Sequence, residues 1–205
     1  MLGCRYHFVL ANALLLWVFG FTAHAAAPEV SVAAARANVE AFHAALMTSA
    51  RSDAELAVRL PGVATAFDDL FDVERIARIS AGKAWRDLAP DARAEYVALL
   101  RDVVVSNYVS RFDTDRGQRF ATLVAEEVKP QRFVVKTQII RPNDQPVSLD
   151  YYFRVGRVFN VVADGVSDLS VRRADYAAII KKDGFAGLLA HLRRQLEATN
   201  VADGA

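Results

Sequence analysis

From residue 28 onward the spacing of apolar residues switches once from a helical period to an alternating one, and once back. The segment EVSVAAARANVEAFHAALMTSA (29–50) puts Val32, Ala35, Val39, Phe42 and Leu46 on one stripe, which predicts an amphipathic helix. Pro61-Gly62 is expected to end whatever follows it. Asp72 stands as an N-cap before VERIARIS, and Gly82 closes that short helix. A longer helix is predicted from Pro90, with Asp91 in its first turn and an apolar face of Tyr96, Leu99, Leu100, Val103, Val104, Tyr108 and Phe112.

The alternating stretch begins near Gly117. RFATLVAEEV, RFVVKTQIIR, PVSLDYYFRV and VFNVVADGV are short, rich in β-branched and aromatic residues, and separated by turn residues. In the third, Val147, Leu149, Tyr151, Phe153 and Val155 alternate with Ser148, Asp150, Tyr152 and Arg154, the period of a strand with one buried face. RPNDQP precedes it as a hairpin loop and Gly156-Arg157 follows as a tight turn, so an antiparallel meander is predicted. Helical spacing returns from Leu169 to Leu196, broken at Asp183-Gly184. Helices, an antiparallel sheet, then helices again make an α+β domain whose sheet and helices enclose an apolar pocket, or a core if large side chains fill it.

The first residues change the inventory. A weakly basic start, a run from Phe8 to Phe21 that is apolar apart from Asn12, and the small-x-small triplet Ala23-His24-Ala25 have the form of a secretory signal peptide, and cleavage is expected after Ala25, with Ala27 as the alternative site. That leaves residues 26–205 as a single exported domain, with an uncleaved anchor as the other reading. Cys4 lies before the apolar run, not after it, which argues against lipidation there. Cleavage would remove that one cysteine and Arg5, leaving 24 basic residues against 24 acidic ones, without a thiol nucleophile or a disulfide. A chain without net charge lacks what general binding to nucleic acid requires.

Catalytic residue types are sparse. His43 and His191 lie on predicted helices, far apart and without partners at metal-ligand spacing, so both read as helix-surface or boundary residues and no metal or cofactor is expected. No nucleophile elbow, phosphate loop or dinucleotide fingerprint is present. Asp68-Asp69 and Glu126-Glu127 read as solvated surface, because neighbouring side chains point to different sides. One enzymatic reading survives, a pocket isomerase using Asp150, Tyr151, Tyr152 or Asp164. The alternation sets Asp150 opposite Tyr151, however, and Asp164 before Gly165 is more simply a turn acceptor. The remaining unusual feature is basic: Arg172, Arg173, Lys181, Lys182, Arg193 and Arg194 share the final helical segment. This is either a solvated face or a surface for an anionic head group or an acidic partner.

Two stretches carry a resemblance. FDVERIARISAGKAWRDLAPDARAEYVALLRDVVVSNYVSRF and VFNVVADGVSDLSVRRADYAAIIKKDGFAGLLAHLRRQL resemble the periplasmic MlaC, or toluene-tolerance, family. The matching positions are Phe71-Asp72, Ile76, Gly82, Trp85, Pro90, Asp164-Gly165-Val166-Ser167, Arg173, Tyr176 and Gly184 to Leu188, in order, from about Phe67 to Leu196. SVRRADY and YVSRFDTDRGQRF are more similar to HpnM, the version associated with hopanoids.

The resemblance implies a lipid-binding shuttle rather than an enzyme. It would exchange phospholipid or hopanoid-type cargo with an inner-membrane transporter complex and an outer-membrane acceptor. On that reading Val147, Leu149, Tyr151, Phe153 and Val155 are expected to form the sheet-side wall of the pocket, and Leu100, Val104, Tyr108 and Phe112 the helix-side wall. Trp85 is expected to anchor the core between short helices. Arg172 and Arg173 are expected at the pocket mouth or a docking surface, unless one pairs internally with Asp164 or Asp168. A structural adaptor without ligand remains the third reading.

Overall fold

The computed structural model describes residues 31–203, so the expected signal peptide lies outside the described residues. Helix α1 (Val32–Ala50) starts where the Ser31 hydroxyl accepts from the Ala34 amide at 3.1 Å. Helix α2 spans Leu56–Leu70 and α3 spans Val73–Ala81. The Asp72 carboxylate caps α3, accepting from the Arg75 amide at 3.0 Å, and Gly82 ends it at φ 61°, a conformation that favours glycine. After a 3-10 turn at Gly82–Asp87, α4 runs Pro90–Arg111 with its proline in the first turn.

One expectation fails among these helices. Pro61-Gly62 does not end a segment; it lies inside α2. Pro61 stands in the second turn of α2, so one backbone bond is lost, the one its missing amide would have made to the Ala57 carbonyl, and the helix continues past it, with the Thr65 hydroxyl donating to the Pro61 carbonyl at 3.0 Å.

The sheet is a meander in the order β1-β2-β3-β4-β5, every pair antiparallel. Its strands are β1 (Arg119–Lys129), β2 (Arg132–Ile140), β3 (Val147–Arg154), β4 (Arg157–Ala163) and the two-residue β5 (Val166–Ser167). Two of its hairpins turn on paired left-handed residues, Val155-Gly156 (φ 50° and 79°) and Asp164-Gly165 (φ 46° and 80°), whose backbone twist matches that of the strands. Asp164 sits in the turn, but its carboxylate accepts from the Ser148 amide of β3 across the sheet at 2.8 Å, not from an amide of the turn itself. Helix α5 (Asp168–Asp203) completes the chain and breaks at Gly184, φ 70°, where the sequence placed its interruption.

Two apolar clusters hold the layers together. The larger lies between the sheet and α1 and α2, built on Phe42, Phe67, Phe71, Tyr151 and Phe153. The smaller gathers Ala77, Tyr96, Leu100, Tyr176, Leu188 and Leu192 from α3, α4 and α5. Within it Tyr96 meets the Ser80 hydroxyl at 2.8 Å and the edge of Phe185 at 5.3 Å. Ile76 and Val104 pack against both clusters, so α3 and α4 lie along the seam between them. A backbone bond from the Asp72 amide to the Val158 carbonyl, 2.8 Å, ties the start of α3 to β4 at the same seam.

Candidate functional site

A cleft opens along this seam, between α4, the first arm of α5 and β4. Its inner part, about 20 Å³, is walled by Phe67, Phe71, Ile76, Leu100, Val104 and Leu169, with Phe159 and Val161 from β4 beneath. Its outer part, about 60 Å³, shares Val104, Tyr108, Asp168 and Arg172 with the inner one and adds Asn107 and Arg111. The inner volume holds about one water molecule and no acyl chain. The cleft is therefore apolar at its base, charged at its rim and closed.

Of the residues expected in the helix-side wall, Leu100, Val104 and Tyr108 line this cleft. Phe112 does not. It ends α4 and stacks on Phe120 at 5.5 Å, in the larger cluster. The sheet-side row divides differently. Tyr151 and Phe153 are fully buried in the larger cluster, and Val147 and Leu149 pack half-buried against it, but none of them borders the cleft. The reason is which elements lie over which strand: α1 packs on β1 and β2 and reaches β3 through the contact of His43 with Tyr151, and the cleft meets the sheet one strand further on, at β4.

Val155 leaves the row altogether. The expected alternation runs one residue too far, because β3 ends at Arg154 and Val155 forms the hairpin turn, 59% exposed at φ 50°. A β-branched side chain is strained in that backbone region, while Asn-Gly is a favoured pair for such a turn. Val155→Asn is expected to raise stability by about 1 kcal/mol, read as the midpoint of urea unfolding, and to leave any ligand retention untouched. A loss of stability would return Val155 to a packing role.

The two rim arginines also separate. Arg173 faces solvent. Arg172 is 14% exposed in its side chain and pairs internally, its Nη2 donating to Asp168 at 2.9 Å and its Nη1 to the Tyr176 hydroxyl at 3.2 Å. Burial alone would lower this guanidinium's pKa, but Asp168 and Tyr176 hold it above the usual arginine value. The buried Nε of Arg172 has no hydrogen-bond partner.

Other side chains depart from the expected surface roles. His43 is neither a helix-surface nor a boundary residue; it is 4% exposed, bonded to the Tyr151 hydroxyl at 2.9 Å and stacked on Phe120 at 3.8 Å. Desolvation brings its pKa down to about 3, so the ring is neutral. Asp68 holds Arg101 through bonds of 2.6 and 3.0 Å, a pairing the reading of Asp68-Asp69 as solvated surface overlooked because the partners are 33 residues apart. Asp68 first, and then Asp102, keeps the Arg101 guanidinium above its usual value despite the opposing effect of burial. Trp85 is half-buried, with the Arg93 guanidinium 5.4 Å above its ring and Tyr96 beside it. Among the described residues no cluster of histidine, cysteine or carboxylate side chains could hold a metal, and no helix is long and apolar enough to cross a membrane.

A five-stranded antiparallel meander covered by helices, with a cleft at the seam of two apolar clusters, defines an α+β fold. The chain belongs to the MlaC family, whose sequence profile matches residues 37–194. The fold is similar to that of a phospholipid-binding protein from Ralstonia solanacearum, solved in complex with a phospholipid. The two superpose with a TM-score of 0.70 at 19% identity, over 80% of this chain and 98% of the other.

Proposed function

We propose that this chain is a periplasmic lipid carrier, exported by its signal peptide, that takes one lipid into the cleft at the seam of its two apolar clusters. The observation that carries this reading is the seam: an apolar cleft lined by Leu100, Val104 and Tyr108 with a buried arginine at its mouth, in a chain of the MlaC family. Burying a methylene is worth about 0.8 kcal/mol, so a two-chain lipid with some thirty of them loses on the order of 20 kcal/mol in water. Passage between membranes then needs a protein interior to travel in. The cleft must widen to admit the chains, and Ile76 and Val104, which touch both clusters, are where the layers part.

The carrier meets an inner-membrane transporter complex on one side and an outer-membrane acceptor on the other, with cargo that is a phospholipid or, on the HpnM-like reading, a hopanoid. The isomerase alternative loses its main residue: the Tyr151 hydroxyl is bonded to His43 within the core, and burial raises its pKa well above the ordinary phenol value. A side chain so placed neither reaches the cleft nor gives up its proton near neutral pH.

The test is native mass spectrometry of residues 26–205 purified from periplasm, followed by lipid extraction. One phospholipid per chain supports the phospholipid carrier, and a polycyclic terpenoid from a host that makes one supports the HpnM-like form. A delipidated and reloaded sample that holds nothing would sink the carrier reading. Val104→Trp, which fills the seam, is expected to cut retained lipid about tenfold while costing only about 1–3 kcal/mol of stability. Unchanged retention would move the binding site elsewhere.

A further inference from the structure

We propose that Arg172 is an anion-recognition subsite at the cleft mouth, covered by Asp168 in the closed form and taken over by a phosphodiester oxygen when a lipid head group arrives. This rests on the carrier reading above and names the group that the rim recognises.

The ion pair is asymmetric. The guanidinium is 14% exposed, whereas the Asp168 side chain is 62% exposed and keeps most of its contact with water. Arginine stays charged at any ordinary pH, so its charge remains buried and in need of acceptors. Asp168 meets that need only in part, because both of its oxygens bind the one nitrogen, Nη2, at 2.9 and 3.2 Å, and the Nε donor is left unmet. A phosphodiester has two non-bridging oxygens, which match a guanidinium edge with one acceptor for Nε and one for Nη2. The displaced carboxylate can turn outward into water it already touches, while the guanidinium has nowhere else to go.

The rest of the rim fits the same ligand. Arg111 lines the outer cleft and has no acidic partner among the described residues, so at the outer cleft Arg111 and Arg172 meet the single carboxylate of Asp168. Arg101, also on the wall, is already held by Asp68 and Asp102. Tyr108 lines the same outer cleft, and the charges of Asp168, Arg172 and Arg111 all act on its hydroxyl. Burial, and next the Asp168 charge, pushes its pKa up, so it stays protonated and able to donate. Below it Leu100, Val104 and Leu169 continue into the apolar base, where acyl chains would lie.

The experiment offers delipidated protein (residues 26–205) an equimolar mixture of dioleoyl phosphatidylglycerol and dioleoylglycerol in mixed micelles and counts each by native mass spectrometry. The chains are identical and only the phosphate differs. The wild type is expected to prefer phosphatidylglycerol by about tenfold or more, and Arg172→Gln to bring the ratio close to one. Asp168→Asn, which removes the competing charge, is expected to raise the ratio above wild type and carries the test if Arg172→Gln does not fold. Equal uptake of both lipids by the wild type, or a ratio unmoved in both variants, overturns the subsite and leaves the carrier standing. Uptake of neither lipid overturns the carrier reading and the subsite with it. Inorganic phosphate alone, at millimolar concentration, is expected not to shift the melting temperature. A shift present in wild type and absent in Arg172→Gln would make free phosphate the ligand and overturn the head-group assignment.

Discussion

Phe42→Ala is expected to lower the free energy of unfolding by about 3–5 kcal/mol, the largest loss of any single truncation proposed for this chain. Phe42 is fully buried at the centre of the larger cluster, with its ring edge-on to Tyr108 at 5.1 Å and to Phe71 at 5.4 Å, and tilted against Phe67 at 6.4 Å. Removing it deletes the transfer free energy of an aromatic ring and leaves a space that Phe67 and Phe71, stacked on each other at 4.3 Å, are poorly placed to fill. Tyr108 reaches from this cluster to the cleft, so the loss is expected to loosen the cleft wall as well. Urea unfolding measures it, with Val58→Ala on the exposed face of α2 as a control expected to stay within about 0.5 kcal/mol. A loss below about 1 kcal/mol would mean that the surrounding rings close over the gap, and that the core is far more deformable than its packing suggests.

The second large effect is acid sensitivity. His43 titrates near its ordinary value in the unfolded chain and near 3 in the folded one, because burial penalises the imidazolium and outweighs the opposing Glu40 charge. A depressed pKa on a base means that protonation favours unfolding. The stabilising effect of the neutral ring is therefore fully present above about pH 6.5 and is lost as pH falls toward 3. Over the whole window this amounts to something on the order of 4–5 kcal/mol, and to about 2–3 kcal/mol by pH 4.5. Glu40 and Asp115, whose pKa values Arg36 and Arg51 respectively hold down, lose stabilisation in acid too and in the same direction. The measurement is consequently a difference: urea midpoints at pH 7.5 and 4.5 for wild type and His43→Gln. The wild type should lose more between the two, and parallel losses would show that the ring takes up a proton without unfolding.

What the sequence could declare was mostly local. Asp72 and Gly82 bound α3, Pro90 opens α4, Gly184 breaks α5 and Asp164-Gly165 turns a hairpin, each by chemistry contained within a few residues. The meander followed from strand spacing and turn residues in the same way. The candidate site was legible only by half. Alternation shows that Tyr151 and Phe153 share a face, but not that this face is filled by the larger cluster and leaves β4 to floor the cleft. Helical spacing gave Leu100, Val104 and Tyr108 correctly because all three lie on one face of a single long helix. Pro61 misled because a proline's effect depends on where a helix begins, and nothing nearby marked Leu56 as that point. His43 and Tyr151 are 108 residues apart, and Arg101 and Asp68 are 33 apart; neither pairing leaves a trace in local pattern. Arg172 and Asp168 are four residues apart and could be read as a helical pair, but the burial that makes the pair unequal could not.

The narrowness of the seam has a consequence for exchange. A vessel with rigid walls would be left with a hydrophobic void when its cargo departed, and that void would resist release. Here Leu100, Val104, Phe67 and Phe71 already meet across about 20 Å³, so the walls can satisfy one another in place of a passenger. On the proposed carrier reading, a lipid must first replace those wall-to-wall contacts, and its apparent affinity is lowered by the rarity of the opened form. On the same reading, these contacts, re-forming behind a departing lipid, would drive its release at the cleft mouth.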